Sequence, residues 1–387
     1  MKRIPTASLY SCKCASQNSH KDIPRPYPLT SGSVAHLSES VQPRKPALCI
    51  IISLLLTTIL FSGCEKLLME DDIESTKVNT FEYLWTRVDN MYSNFDVKEV
   101  DWQAVHDSTL PRVEACHTNT QLFQALADML NTLNDGHVNL FSSFDVSRCT
   151  SLYQTMLERK NIDLDVVQKY YLGYGYHTTG GLAHQCIADS QVVYVRYGSF
   201  SNSVSTGIID YIFNLYPKAR GVIFDIRQNG GGEVENVWRI LRMFPGSGQL
   251  LYTTQIKDGP GRNDFSAPQS VFAPAAEEGH AVYTKPICVL TDRGSYSASS
   301  DFALCARTYP NVTLVGDTTG GGLGLPTGGD LPNGWHYRFS VTRTFSPEGV
   351  NYENGVPPDT VVLLTPVSVS QHKDNVIDAA ASIILRQ

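Results

Sequence analysis

Four short apolar runs dominate the second half of the chain: Val192 to Tyr197, Gly221 to Ile226, Ile287 to Thr291 and Val312 to Gly316. Patterns with helical spacing lie between them. Strand and helix patterns in alternation predict an α/β domain with a largely parallel sheet, covered on both faces, over residues 192–387. Tyr337 to Thr342 alternates apolar and polar residues, which fits an antiparallel strand with one wet face.

Before that domain the periodicity is helical. Phe81, Leu84, Trp85, Val88, Met91 and Tyr92 recur at three and four, as do Leu122, Leu126, Met129, Leu130 and Leu133, the second set opened by Thr118 or Thr120. Residues 80–141 are expected to form a small helical N-terminal domain. Its last helix ends at the turn signal Asn134-Asp135-Gly136, followed by a strand over His137 to Phe141. Residues 142–191 read as a connecting segment.

The amino-terminal part has a different character. Leu48 to Ser62 is almost unbroken apolar sequence preceded by Arg44 and Lys45, short for a membrane span and suited to a secretory h-region. Leu60-Phe61-Ser62-Gly63-Cys64 then resembles the lipobox of bacterial lipoproteins, which implies cleavage before Cys64 and its lipidation. Residues 1–63 are therefore expected to be a lipoprotein signal peptide with an upstream extension from a misassigned start. Residues 64–79 form an acidic tether, and the protein belongs in a bacterial cell envelope, attached to membrane through Cys64. Without residues 1–63 the chain has 24 basic and 36 acidic side chains, a net charge of −12 that argues against a nucleic-acid partner. Cys116, Cys149, Cys186, Cys288 and Cys305 show no metal-ligand spacing, and the histidines no HExxH pairing, so no metal and no cofactor is expected. One disulfide among Cys116, Cys149 and Cys186 remains open, whereas Cys288 and Cys305 fall in apolar segments and read as packed hydrophobes.

Two segments can carry chemistry. In Pro286 to Thr308, a buried strand is broken at Arg293-Gly294, and a helical pattern resumes from Ser297. A serine at such a helix mouth has its hydroxyl free and unpaired amide N–H groups behind it, an arrangement suited to a nucleophile and an oxyanion. The alternative is that Ser297, Ser299 and Ser300 are helix caps. In Gly221 to Glu233, a strand ends in Gln228-Asn229-Gly230-Gly231-Gly232, where backbone N–H groups can approach a ligand closely. It lacks GxGxxG and a Walker lysine, which argues against nucleotide binding.

The segments LNDGHVNL (133–140), VIFDIRQNGGG (222–232) and LTDRGSYSASSDF (290–302), with Asp317 to Gly322 and Gly349 to Asp359, resemble in order and spacing the carboxyl-terminal processing, or tail-specific, serine peptidases, including their tricorn-core-like branch. The resemblance spans residues 80–365. It implies a ClpP/crotonase-like α/β catalytic domain, Ser297 as nucleophile and the N–H groups of Gly231 and Ala298 as oxyanion donors. The processing branch takes its base from a lysine about 25 residues after the serine, but Gly322 stands there and no lysine occurs between Ser297 and Lys373. The tricorn-like branch uses a histidine that matches His137, with a glutamate matching Glu353 as orienter. One residue is missing between Asn354 and Gly355, and Gly136 replaces a serine, so Asp135 competes for the orienting role. Residues 142–191 are too few for the family's PDZ domain. The implied activity is a serine endopeptidase acting on peptide or protein substrates; the alternative is an inactive relative that binds hydrophobic ligands or peptides, as the eye's retinoid-binding protein does.

Overall fold

The computed structural model describes residues 73–280 and 282–387. The signal segment, Cys64 and most of the tether lie outside the described residues.

Each apolar run is a strand. Val192–Tyr197 (β4), Gly221–Asp225 (β5), Ile287–Thr291 (β8) and Val312–Gly316 (β9) lie side by side, all parallel, with Thr360–Val361 (β13) parallel on the outer edge. All five residues of β5 and of β8 are buried. Their side chains nevertheless alternate between faces: Val222, Phe224, Ile287 and Val289 enter one core, and Ile223, Cys288 and Leu290 enter the other. The helices Val234–Leu241 and Ala298–Ala306 cover the first face, and the C-terminal helix Asn375–Arg386 covers the second.

The sheet starts earlier in the chain than the 192 boundary. Within the segment read as a connector, His177–Thr179 (β2) and Leu182–Ile187 (β3) add two antiparallel strands on the β4 side, giving seven strands in the order β13-β9-β8-β5-β4-β3-β2. Alternation is weak here because β2 is only three residues and mostly exposed, and β3 carries His184 and Gln185 side by side within its apolar residues.

The helices Lys77–Met91, Trp102–Glu114 and Asn119–Asn131 pack on Leu331, Trp335, Tyr337 and Phe339, residues from far along the chain. Asn119–Asn131 opens with Thr118 and Gln121 capping each other, a reciprocal arrangement that satisfies two orphan N–H groups. Its distant partners belong to a hairpin, Pro326–Asp330 (β10) and His336–Ser340 (β11), which pairs with Asn139–Phe141 (β1) through Asn139 opposite Arg338. That pairing makes a separate three-stranded sheet, β1-β11-β10, that ties the end of the helical region to the segment following Gly322.

Beneath the glycine turn, Arg227 is fully buried between Asp225, 2.6 Å away, and Asp374 at 3.0 Å, and the Tyr194 hydroxyl donates to Asp225. This cluster ties the end of β5 to the C-terminal helix. Removing one partner of such a buried cluster costs about 3–5 kcal/mol. Cys116, Cys149, Cys186, Cys288 and Cys305 are all free thiols, so the disulfide left open among the first three is not formed.

Candidate active site

The carboxyl ends of parallel strands are where an α/β sheet presents its ligands, because the helix N-termini and the loops converge there. Here the ends of β5 and β8 carry the glycine turn and the turn to Ser297. Ser297 occupies the N-cap position of Ala298–Ala306 with φ 57° and ψ −126°, and its side chain makes no capping bond. A non-glycine residue at positive φ is strained by about 1–3 kcal/mol and persists only where its surroundings enforce it. The enforcing contacts are backbone bonds: Ser297 N–H donates to the Gly321 carbonyl at 2.9 Å, and Tyr296 N–H donates to the Asn229 carbonyl at 3.0 Å. The hydroxyl is thereby turned outward, and Ser297 Oγ stands 3.0 Å from His137 Nε2. Capping by Ser297 is excluded by this geometry. Ser300 is also engaged elsewhere, with Oγ donating to the Ser295 carbonyl and lying 2.9 Å from Thr319 Oγ1.

His137 reaches the site from the other side. After Asn119–Asn131, Asn134 takes φ 46° and ends the helical path, and the chain turns through Asp135 and Gly136 into β1. His137 is buried, with its ring edge-on to Tyr296 at a centroid distance of 5.1 Å. Burial holds its pKa below the ordinary imidazole value; the nearby Asp135 charge opposes this and the Arg338 charge adds to it. Nδ1 is buried and makes no hydrogen bond of ordinary geometry, although the Gly324 carbonyl acts on the ring.

Neither carboxylate proposed as an orienter bonds to the imidazole. Asp135 Oδ1 accepts from the backbone N–H of His137 at 2.8 Å and from the Tyr296 hydroxyl at 3.3 Å. Its Oδ2 accepts from Tyr92 at 2.9 Å and Ser340 at 3.2 Å. Glu353 Oε2 accepts from the N–H groups of Leu323 and Gly324, both at 2.9 Å, while Oε1 is buried without a partner. Burial first, and then the neighbouring Asp135 charge, push the Glu353 pKa up to about 8. Asp135 thus fixes the backbone of His137, and Glu353 fixes the loop, through the N–H groups of Leu323 and Gly324, that brings the Gly324 carbonyl to the ring.

The two oxyanion donors differ. Ala298 N–H, at the first helical position, has no acceptor among the described hydrogen bonds. Gly231 N–H donates to Asn229 Oδ1 at 3.0 Å and is already engaged. Gly231 still touches the site: with φ +95°, a Cβ there would lie 2.7 Å from the Tyr296 carbonyl and 2.9 Å from Ser297 Cβ.

Sequence reasoning missed Tyr296, although it adjoins Ser297. Its ring explains two departures from the family patterns. A Cβ on Gly136 would lie 2.9 Å from the Tyr296 ring, and one on Gly322 only 2.3 Å away. These are the positions that hold a serine in one branch and a lysine in the other, and here the phenol fills the space. Tyr92, Ser340 and Arg338 were missed as well, since their distance along the chain leaves no local signal.

Ser297, His137, Ala298, Tyr252, Asp301 and Arg338 line a cleft of about 520 Å³. Such a cleft can admit an extended peptide beside a hydroxyl, an imidazole and a free N–H.

Comparison with known proteins adds identity to this geometry. Residues 191–362 match peptidase family S41, and residues 76–131 match the Tricorn protease C1 domain. His137 falls between the two. The carboxy-terminal processing protease CtpA of Bacillus subtilis is 27% identical over 172 residues, 44% of this chain and 34% of that protein. The chloroplastic C-terminal processing peptidase of Tetradesmus obliquus is 30% identical over 176 residues, 44% of this chain and 35% of that one. The chain thus spans about a third of the length of these curated relatives. Among solved structures, mature CPAF is 12% identical with a TM-score of 0.60, covering 80% of this chain and 96% of that one, a likeness of fold alone. A candidate peptidase from Parabacteroides merdae is 39% identical with a TM-score of 0.76, covering 81% of this chain and 98% of that one. With a relative of that identity matched over nearly its whole length, and the family's own pattern over residues 191–362, this chain belongs to peptidase family S41.

Proposed function

We propose that the protein is a serine endopeptidase in which Ser297 is the nucleophile and His137 the general base, attached to the bacterial cell envelope through a lipidated Cys64. The observation that carries the reading is the 3.0 Å contact between His137 Nε2 and Ser297 Oγ, made by a serine held at positive φ. Nucleophile and base within hydrogen-bond reach, on a strained turn at a helix mouth, is the arrangement acyl transfer requires.

Each step follows from the positions of these atoms. His137 Nε2 takes the Ser297 proton as Oγ bonds to the scissile carbonyl carbon, and the resulting oxyanion accepts from Ala298 N–H. Gly231 N–H joins only by sharing or leaving Asn229 Oδ1. The imidazolium passes its proton to the leaving amine as the C–N bond breaks, which leaves an ester on Oγ. Water then adds to the ester, giving its proton to His137, and collapse of the adduct frees the acid and returns the proton to Ser297. The nearby Asp135 charge favours the imidazolium formed in each half-reaction. Glu353 supports the base indirectly, through the backbone that carries Gly324.

The envelope location rests on the apolar Leu48 to Ser62 run and the LFSGC sequence that follows it. The curated relatives are named for carboxy-terminal processing, but the tail-reading PDZ domain is not expected in residues 142–191. We therefore assign no preference for protein tails. A fluorophosphonate probe tests the reading: it should label the wild-type protein and neither Ser297→Ala nor, at a comparable rate, His137→Ala. A folded wild-type protein that resists the probe would favour a non-catalytic binding protein.

A further inference from the structure

Asp301 lies on the wall of the cleft, one helical turn beyond Ser297. Its carboxylate has no counterpart: Oδ2 is buried without a hydrogen-bond partner, and among the described residues no lysine or arginine pairs with it. Val234, Tyr252, Ala298 and Thr344 line the same cleft, and its one arginine, Arg338, donates to Asn139 Oδ1 instead. Burying a carboxylate among such neighbours is costly unless a cation or a donor answers it. Burial alone pushes its pKa up to about 7, which marks a group that lacks a partner in the free protein.

The position suits a substrate side chain. Four residues of helix rise about 6 Å, a span that the stem of a lysine or arginine can cover from a backbone held at Ser297. The scissile carbonyl would sit between Ser297 Oγ and Ala298 N–H, so the side chain of the residue that contributes it runs along this helix toward Asp301. A basic side chain would answer the carboxylate with a charge-assisted hydrogen bond. An apolar one would strip the carboxylate's remaining water and give nothing in return, which discriminates against it.

We propose that Asp301 is the specificity-determining residue of this site and receives the lysine or arginine side chain of the residue whose carbonyl is attacked. This rests on the peptidase reading above. The test uses the folded protein with matched fluorogenic peptides carrying arginine, lysine or norleucine at that residue, together with fluorophosphonate labelling, which reports Ser297 independently of peptide sequence. The arginine and lysine peptides should be preferred at least about tenfold in kcat/KM, and Asp301→Asn should abolish or invert that preference, lowering kcat/KM for the basic peptides about a hundredfold relative to the norleucine peptide, with labelling showing that Ser297 still reacts. A wild-type protein that is labelled yet cleaves the norleucine peptide as well as the basic ones overturns the assignment of Asp301 and leaves the peptidase reading standing. A wild-type protein that is not labelled removes both. Should Asp301→Asn fail to fold, inhibition of the wild-type protein by an arginine aldehyde against a norleucine aldehyde decides the matter, with equal potency overturning the assignment.

Discussion

His137 Nε2 and Ser297 Oγ lie 3.0 Å apart across 160 residues of chain, one delivered from a helix-to-strand turn and the other from the turn after a buried parallel strand. Neither element can make the contact by itself. The hairpin β10–β11 makes it available, since it packs on the N-terminal helices and pairs with β1, two residues beyond His137.

Two groups that act in one proton transfer should not contribute independently. Ser297→Ala and His137→Ala are each expected to remove most of kcat/KM on a good peptide substrate, and the double variant should be little worse than either. Steady-state kinetics of the three proteins checks this; effects that multiplied would separate the residues.

Because burial favours neutral His137, the base stays competent at lower pH than a free imidazole. The acid limb of kcat/KM should therefore have its midpoint below 6.5. A pH–rate profile measured where the protein stays folded reports it, and a midpoint well above 6.5 would contradict the buried setting of the ring.

The carboxylates Asp135 and Glu353 should respond differently to amide substitution. With a pKa near 8, Glu353 is mostly protonated at neutral pH, so Glu353→Gln is nearly isosteric and isoelectric there and should change kcat by only a few-fold. Asp135→Asn replaces one of two oxygens that together accept four hydrogen bonds with an NH2 donor, which then faces two of those donors, and should cost about ten- to a hundredfold in kcat/KM with measurable destabilisation. Glu353 also predicts a pH dependence of stability. Its folded value is raised above 4.5, so the neutral acid's contribution is complete below about pH 4.5 and is lost as the pH rises through about 8. Urea midpoints of Glu353→Gln should lack that part of the decline.

Tyr296 should behave as the wall that forbids side chains at positions 136 and 322. Gly322→Ala is expected to destabilise the protein by about 1–3 kcal/mol, since its Cβ would meet the ring at 2.3 Å and the backbone there has φ +75°. Gly136 is not at positive φ, so the cost of Gly136→Ala comes from packing, first against the Tyr296 ring at 2.9 Å and then against Leu152 Cδ2 at 3.1 Å, and should be largely relieved in a Tyr296→Ala background. Denaturation midpoints of the double-mutant cycle test this; equal costs in both backgrounds would place the restriction elsewhere.

Cys64→Ala should leave the precursor unprocessed or release the protein from membranes, because stable anchoring needs more than one acyl chain. Fractionation and intact mass of the native protein check it, with unchanged mass and location refuting lipidation.

What the sequence determined by itself was what could be read within about twenty residues. Runs of apolar residues set β4, β5, β8 and β9, and the three-and-four spacing of apolar residues after Thr118 or Thr120 set a helix. The break at Arg293-Gly294 put Ser297 at a helix mouth. These features depend on periodicity and turn chemistry, which are local. Whether Ser297 caps its helix or faces a histidine was decided by the Gly321 carbonyl and by β1 pairing with β11, and no nearby residue encodes that choice. The same is true of the donors gathered on Asp135, of Glu353 bonding to amides rather than to the imidazole, and of Tyr296 filling the space over Gly136 and Gly322. Buried polar groups take whichever partners the packed chain brings within about 3 Å, and those of Asp135 lie as far as 205 residues away, beyond the reach of any repeating pattern.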